Sequence, residues 1–183
     1  MDKKKAALVV LGLIVIVLIT GTIIAAIKNK ALDKDKDEVK MPTTFTISYS
    51  YGGGYTTYAN SLTRKITVDQ DGKVVIELDV DDPLVAPMEY KIDKDKANEL
   101  MKYFYKNKFY DLKKDLSVDD VTDMYSSYLE VKSNTFNRKV GGYAASLNDK
   151  FKKFETKFDS IISEDMMKEF NKRVTEAYEK SDY

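Results

Sequence analysis

The feature that most constrains this chain is a run of 22 residues without a charged side chain, residues 6–27. A helix of that length measures about 33 Å, enough to cross the hydrocarbon core of a bilayer. The alternative is a cleaved secretory signal, whose apolar core is shorter and ends at small residues. Because the small pair Ala25 and Ala26 is surrounded by isoleucines, we predict an uncleaved transmembrane helix at 6–27, in contact with the lipid bilayer, after a short tail of residues 1–5.

Lysines flank both ends of this run, so a count of positive charges does not fix its orientation. The N-terminal flank is very short, however, and long C-terminal domains translocate largely regardless of charge. We therefore expect a single-pass signal anchor in the cell membrane with an extracytoplasmic C-terminal domain. A domain that faces the cytoplasm is the alternative.

Residues 28–42 alternate in charge, contain few apolar side chains and end near Pro42, as is typical of a solvated tether. The remaining part of the chain carries 22 basic and 25 acidic residues. This balance provides no basic surface for nucleic acid, so we expect no nucleic-acid partner. The 13 tyrosines and eight phenylalanines all follow the tether, and residues 43–183 are predicted to form one domain.

Apolar and polar residues alternate in three stretches, which predicts strands. The first is TTFTISYS (residues 43–50), and the next two, LTRKITVD and KVVIELDV, flank a DQDG turn and form a hairpin over residues 62–80. EYKI (89–92) is a short strand. A second hairpin is predicted in DMYSSYLEVKSNTFNRKV, turning near Ser133 and Asn134 and ended by Gly141 and Gly142.

The apolar period becomes helical after Asp93, a plausible N-cap, and again in a stripe from Leu147 to Ile161. Ser163 could cap a further helix, although one long C-terminal helix is the alternative. The order of strands, helix, strands and helices predicts an α+β domain, with a mostly antiparallel sheet and helices on one face.

The chain contains neither histidine nor cysteine. Within the chain, this excludes Ser-His-Asp and Cys-His catalysis and zinc sites built from those ligands. Hydrolysis by a pair of carboxylates needs only two Asp or Glu side chains and stays open, but no pair is marked. We expect a protein that is not an enzyme and needs no cofactor.

Two glycine- and tyrosine-rich stretches, SYSYGGGYTTY and VGGYAAS, form the candidate binding site. Glycine lets a ligand approach the backbone closely, and tyrosine offers amphipathic contact area. If both stretches meet at one end of the sheet, they frame a ligand site. The alternative is a wide hairpin loop with ordinary strand tyrosines. The candidate ligand-binding residues are Tyr51, Gly52, Gly53, Gly54, Tyr55 and Tyr143.

An acidic segment, KKDLSVDDVTDMY, is the one place where the sequence suggests a metal. Its candidate calcium ligands are Asp119, Asp120 and Asp123, because calcium binds oxygen donors. No defined ligand spacing is present, so we predict a solvated loop and no metal site.

Across residues 43–162, the motifs ISYSYGGGY, KITVDQDGKVVIE, KFYDL, YLEVKSN and FETKFDSII together resemble an uncharacterised family of small bacterial extracytoplasmic α+β domains of unknown function. The resemblance implies a signal sequence or membrane anchor but no activity and no catalytic residues. The sequence thus leads us to expect a non-enzymatic binding domain of the bacterial cell envelope, whose partner is an envelope protein or a cell-wall polymer. A cytoplasm-facing regulator and a carboxylate-based cell-wall hydrolase are the alternatives.

Overall fold

The computed structural model describes residues 39–54, 56–81 and 83–179. Within these ranges, no helix is both long and apolar enough to span a membrane. The predicted transmembrane helix, most of the tether and Tyr55 lie outside them, so those assignments stay predictions.

Six strands form one antiparallel sheet in the order β4-β3-β2-β1-β5-β6. The strands are β1 (Phe45–Gly53), β2 (Arg64–Asp69), β3 (Lys73–Leu78), β4 (Met88–Lys91), β5 (Tyr125–Ser133) and β6 (Asn137–Tyr143). Both predicted hairpins are present, as β2–β3 and β5–β6. The first turns as expected, because the Asp69 carboxylate accepts hydrogen bonds from two backbone amides and Gly72 has a φ of 82°.

In the described ranges, four α-helices accompany the sheet: α1 (Tyr58–Ser61), α2 (Lys94–Lys106), α3 (Asp149–Asp159) and α4 (Glu164–Tyr178). Asp93 caps α2 as predicted, by accepting a hydrogen bond from the amide of Asp95. Ser163 caps α4 in the same way, which resolves the C-terminal segment into two helices. Leu147, which we placed on the helical stripe, precedes α3 and is exposed, because Asn148 caps that helix.

The helices lie against the apolar face of the sheet, on which the apolar residues of the alternating strand pattern lie. Phe45, Ile47 and Tyr49 of β1 are buried on it, and Tyr49 packs on Phe158 of α3. The opposite face is polar, with a Ser48–Thr67 hydrogen bond and an ion pair across β2 and β3. The predicted α+β arrangement of an antiparallel sheet with helices is therefore confirmed for the described residues.

Candidate functional site

A cleft of about 580 Å³ opens between the end of β1 and the junction of α3 with α4. Three tyrosines and two adjacent glycines form one side of it, and residues around the α3–α4 junction form the other. The lining includes Tyr49, Tyr51, Gly52, Gly53, Asn60, Tyr125, Asp159 and Glu164. A concave site with aromatic walls and a few polar groups is the common form of a ligand pocket.

Gly52 and Gly53 extend β1 beyond the predicted strand and form part of the cleft wall. A Cβ on Gly52 would lie 2.6 Å from the Cα of Thr63, so only glycine allows this close approach of two backbone segments. Gly53 has a φ of 90°, which side chains rarely adopt. The glycines thus end the strand with bare backbone at the cleft.

Tyr49 and Tyr51 form an aromatic stack inside the cleft, with ring centroids 5.2 Å apart and an angle of 29° between the rings. Tyr49 is buried, whereas Tyr51 is partly exposed. Burial raises the pKa of the Tyr51 hydroxyl, and the nearby Arg64 charge partly offsets this. Among the described residues, the Tyr51 hydroxyl has no hydrogen-bond partner, so it is available to a ligand.

Beneath the stack lies a buried carboxylate, Glu155 of α3, with 1% of its surface exposed. It accepts hydrogen bonds from the hydroxyl of Tyr49, from the hydroxyl of Ser146 at 2.8 Å and from the ammonium of Lys152 at 2.9 Å. Burial is the main cause that raises the pKa of the Tyr49 hydroxyl, and its hydrogen bond to Glu155 raises this pKa further. Glu155 is therefore fully engaged, as a buried charge must be.

Asp159 lies one helical turn after Glu155 and faces the cleft. Asp159 is exposed to water on one side, but partial burial of its carboxyl group and the neighbouring charge of Glu155 raise the pKa of Asp159 to about 6, and Lys152 opposes the shift. Its carboxyl forms neither a hydrogen bond nor an ion pair with any residue in the described ranges. Perturbed and unpartnered acids of this kind are typical of functional sites.

Arg64 fixes the short helix α1 beside the cleft. Its Nη1 donates to the carbonyls of Asn60 at 3.1 Å and Leu62 at 2.6 Å, and its Nη2 donates to Ala59 at 3.0 Å. Its Nε donates to the Asn171 side chain of α4 at 2.8 Å. The guanidinium thus ties α1 to α4 and keeps Asn60 at the cleft.

The structure brings three of the six predicted binding residues together: Tyr51, Gly52 and Gly53 line the cleft. Gly54 is exposed and is not among the lining residues, and Tyr55 lies outside the described ranges. Tyr143 is on the opposite sheet face, because it pairs with Ser126 while the adjacent Tyr125 lines the cleft. The Tyr143 hydroxyl accepts a hydrogen bond from the Met124 amide and donates one to Val121, so it holds a loop.

The acidic segment is an irregular loop with bends at Asp119, Asp120 and Asp123. Asp120 and Asp123 adopt left-handed backbone conformations with φ of 65° and 60°, and they are exposed along with Asp119. Among the described residues, no three Asp or Glu side chains come together closely enough to hold a metal ion. Calcium binding at Asp119, Asp120 and Asp123 stays an untested hypothesis.

Sequence reasoning missed Glu155 and Asp159. A signal for Glu155 was present, since residues 151, 154, 155 and 158 share the buried side of α3 and Glu155 is the one acid among three phenylalanines. Asp159 follows four residues later on the same side of the helix.

The chain matches no protein-family model, and no curated protein sequence matches it. The candidate site therefore depends on the geometry of the cleft alone.

Proposed function

We propose that this chain is a non-enzymatic binding protein of the bacterial cell envelope. Residues 6–27 anchor it in the membrane, and its extracytoplasmic α+β domain binds an envelope protein or a cell-wall polymer in the tyrosine-lined cleft. The observation that carries the binding role is the cleft itself, in which Tyr51 and Asp159 present a hydroxyl and a carboxyl that no described residue engages.

The shape and chemistry of the cleft favour a polar ligand with some apolar surface. The stacked rings of Tyr49 and Tyr51 offer a flat aromatic surface. Gly53, where no atom lies within 4 Å of the position a Cβ would take, leaves room for a chain or ring to approach the backbone. Peptide segments and polysaccharides both have these properties.

A carboxylate-based hydrolase is the second candidate, because Glu155 and Asp159 lie one turn apart near the cleft. An acid with a pKa of about 6 suits proton donation. Glu155, however, is buried and accepts three hydrogen bonds, so it is held for structure and not for attack on a substrate. The geometry gives binding the better support.

The binding role is tested by retention of the full-length protein, in detergent micelles, on an isolated cell-envelope fraction. Tyr51→Leu removes the aromatic surface but keeps apolar bulk, and we expect it to lower retention about tenfold, since aromatic anchors dominate binding energies. Tyr105→Leu on α2, away from the cleft, is the matched control and should be retained like the wild type. Equal retention of both variants, with both shown to be folded by circular dichroism, would contradict the proposed role.

A further inference from the structure

On the cleft side of α3, the acidic side chains outnumber the basic ones. Lys152, Glu155 and Asp159 follow one another at spacings of three and four residues and so share one side of the helix. Lys152 is bound to Glu155 at 2.9 Å. Asp159 is left without a counter-ion among the described residues.

The other charged groups near the cleft already have partners. Glu164 is highly exposed and pairs with Lys168 at 2.8 Å. The Arg64 guanidinium donates its hydrogen bonds to carbonyls in and after α1 and to the Asn171 side chain. The charged groups that act on the Asp159 carboxyl are therefore Lys152 and Glu155 on its own helix. Glu164 of α4 and the tyrosines of β1 and β5 line the same cleft.

Aromatic rings complete the environment of this carboxyl. Tyr49, Tyr51 and Tyr125 line the same cleft, and the face of a tyrosine ring attracts a cation through its negative quadrupole. A carboxylate beside tyrosine rings provides both an ionic partner and a surface for the methylene groups next to a positive charge.

We propose that the cleft binds a protonated amine, with its ammonium group at the Asp159 carboxylate and its alkyl or ring carbons against Tyr51. This inference rests on the proposed function of the cleft as a binding site and specifies the chemical class of its ligand. A neutral sugar would leave the charge of Asp159 uncompensated beside Glu155. A metal ion would need more oxygen ligands than the described residues bring together.

Two sources supply such an amine, a lysine side chain of a peptide and an amino sugar, and matched probes distinguish them. The first pair is Nα-acetyl-lysine amide and its Nε-acetylated form, and the second is glucosamine and N-acetylglucosamine. Acetylation removes the charge and preserves most of the shape. Each probe is titrated into the full-length protein in detergent micelles, and binding is followed by the amide NMR signals of Gly52 and Gly53.

We expect each charged probe that fits to bind at least about tenfold more tightly than its acetylated partner, because acetylation removes the positive charge that pairs with the Asp159 carboxylate. Tighter binding of the lysine derivative supports a peptide amine, and tighter binding of glucosamine supports an amino sugar. Equal binding of charged and acetylated probes, or binding of neither amine, overturns the proposal.

Asp159→Asn should weaken amine binding about tenfold, whereas Glu176→Gln should leave it unchanged. Glu176 is exposed near the far end of α4, about 18 Å along the helix from Glu164, and its substitution makes the same charge change. Wild-type affinity in Asp159→Asn overturns the proposal.

Lowering the pH provides an independent readout. A carboxyl whose pKa is about 6 is mostly ionised at about pH 7 and about one-tenth ionised at about pH 5, so amine affinity should fall about tenfold between those pH values. Asp159→Asn should remove most of this dependence.

If no amine binds but retention on the envelope fraction still depends on Tyr51, the amine assignment fails and the binding function stands. If retention does not depend on Tyr51, the function itself fails.

Discussion

The hydroxyl of Tyr49, in the middle of the central strand β1, donates a hydrogen bond to the buried carboxylate of Glu155 on α3. This bond joins the sheet to the helix layer directly beneath the cleft. It also fixes the ring on which Tyr51 stacks, with 5.2 Å between the two centroids. The shape of the binding surface therefore depends on a polar contact in the core.

Removing that hydroxyl should destabilise the protein. Tyr49→Phe leaves Glu155 with one donor fewer in a buried position, and a hydrogen bond to a charged group contributes about 1.5–3 kcal/mol. Tyr51→Phe is the matched control, because its hydroxyl has no partner among the described residues, and it should change stability by less than about 0.5 kcal/mol. Urea unfolding measures both, and equal losses would contradict the proposed contact.

Asp159 should make stability depend on pH in a direction opposite to that of most surface carboxylates. Its pKa rises from 3.8 to about 6 on folding, so the folded state binds more protons between those values and the free energy of unfolding falls as the pH rises through that window. Because Asp159 is exposed to water on one side, screening reduces the size of the effect.

Asp159→Asn should therefore raise the melting temperature at about pH 8 and leave it nearly unchanged at about pH 4, where the carboxyl is already protonated. The same substitution should weaken ligand binding, a combination typical of residues kept for function. Thermal unfolding at both pH values is the measurement. A lower melting temperature at about pH 8 would show that Asp159 has a stabilising partner instead.

Gly52 should not tolerate a side chain. The Cβ of Gly52→Ala would lie 2.6 Å from the backbone of Thr63, so β1 and the segment before β2 must separate, at a cost of about 1–3 kcal/mol. Ser50→Ala, two residues earlier on the same strand, is the control and should be nearly neutral. Chemical denaturation compares the two variants, and equal stability would show that the two segments are less closely packed.

Arg64 should not be replaceable by lysine. Arg64→Lys loses the planar arrangement of donors that holds three carbonyls and Asn171, and we expect a loss of about 2–4 kcal/mol. Arg173→Lys is the control, since Arg173 is exposed and pairs with Glu169 on the same helix. Hydrogen exchange at α1 should rise in the first variant alone; protection like that of the wild type would contradict the role given to Arg64.

Much of the fold was predictable because local signals agree with the tertiary structure. The turn at Asp69–Gly72 and the alternation around it define the β2–β3 hairpin, and Asp93 marks the start of α2. The sequence does not fix the boundary between α3 and α4, because the apolar stripe continues past the break and Ser163 alone signals it.

The site was predictable only in part, because it depends on which face of the sheet each residue occupies. Tyr51 precedes a glycine and Tyr143 follows one, so the two look alike in sequence. The pairing of Ser126 with Tyr143, however, puts Tyr143 on the sheet face opposite the cleft. A shift of one residue in the β5–β6 register would place Tyr143 on the cleft face, and the sequence does not determine this register. Gly142 is explained by packing, since a Cβ there would lie 2.2 Å from Ser117.

Asp159 could not be recognised from sequence as unpartnered. Asp159 lacks a counter-ion because Lys152 pairs with Glu155 instead. Glu155 is in turn fixed by hydrogen bonds from Tyr49 and Ser146, which lie in other elements of the fold. Such long-range contacts leave no local pattern.

The most direct test of the account asks whether the cleft is open to the outside of the cell. The chain contains no cysteine, so Asn60→Cys, at an exposed position on the cleft wall, introduces a single reactive thiol. Intact cells that express the full-length variant are treated with a membrane-impermeant maleimide. We predict labelling without lysis, whereas labelling only after lysis would place the domain in the cytoplasm and contradict the envelope-binding role.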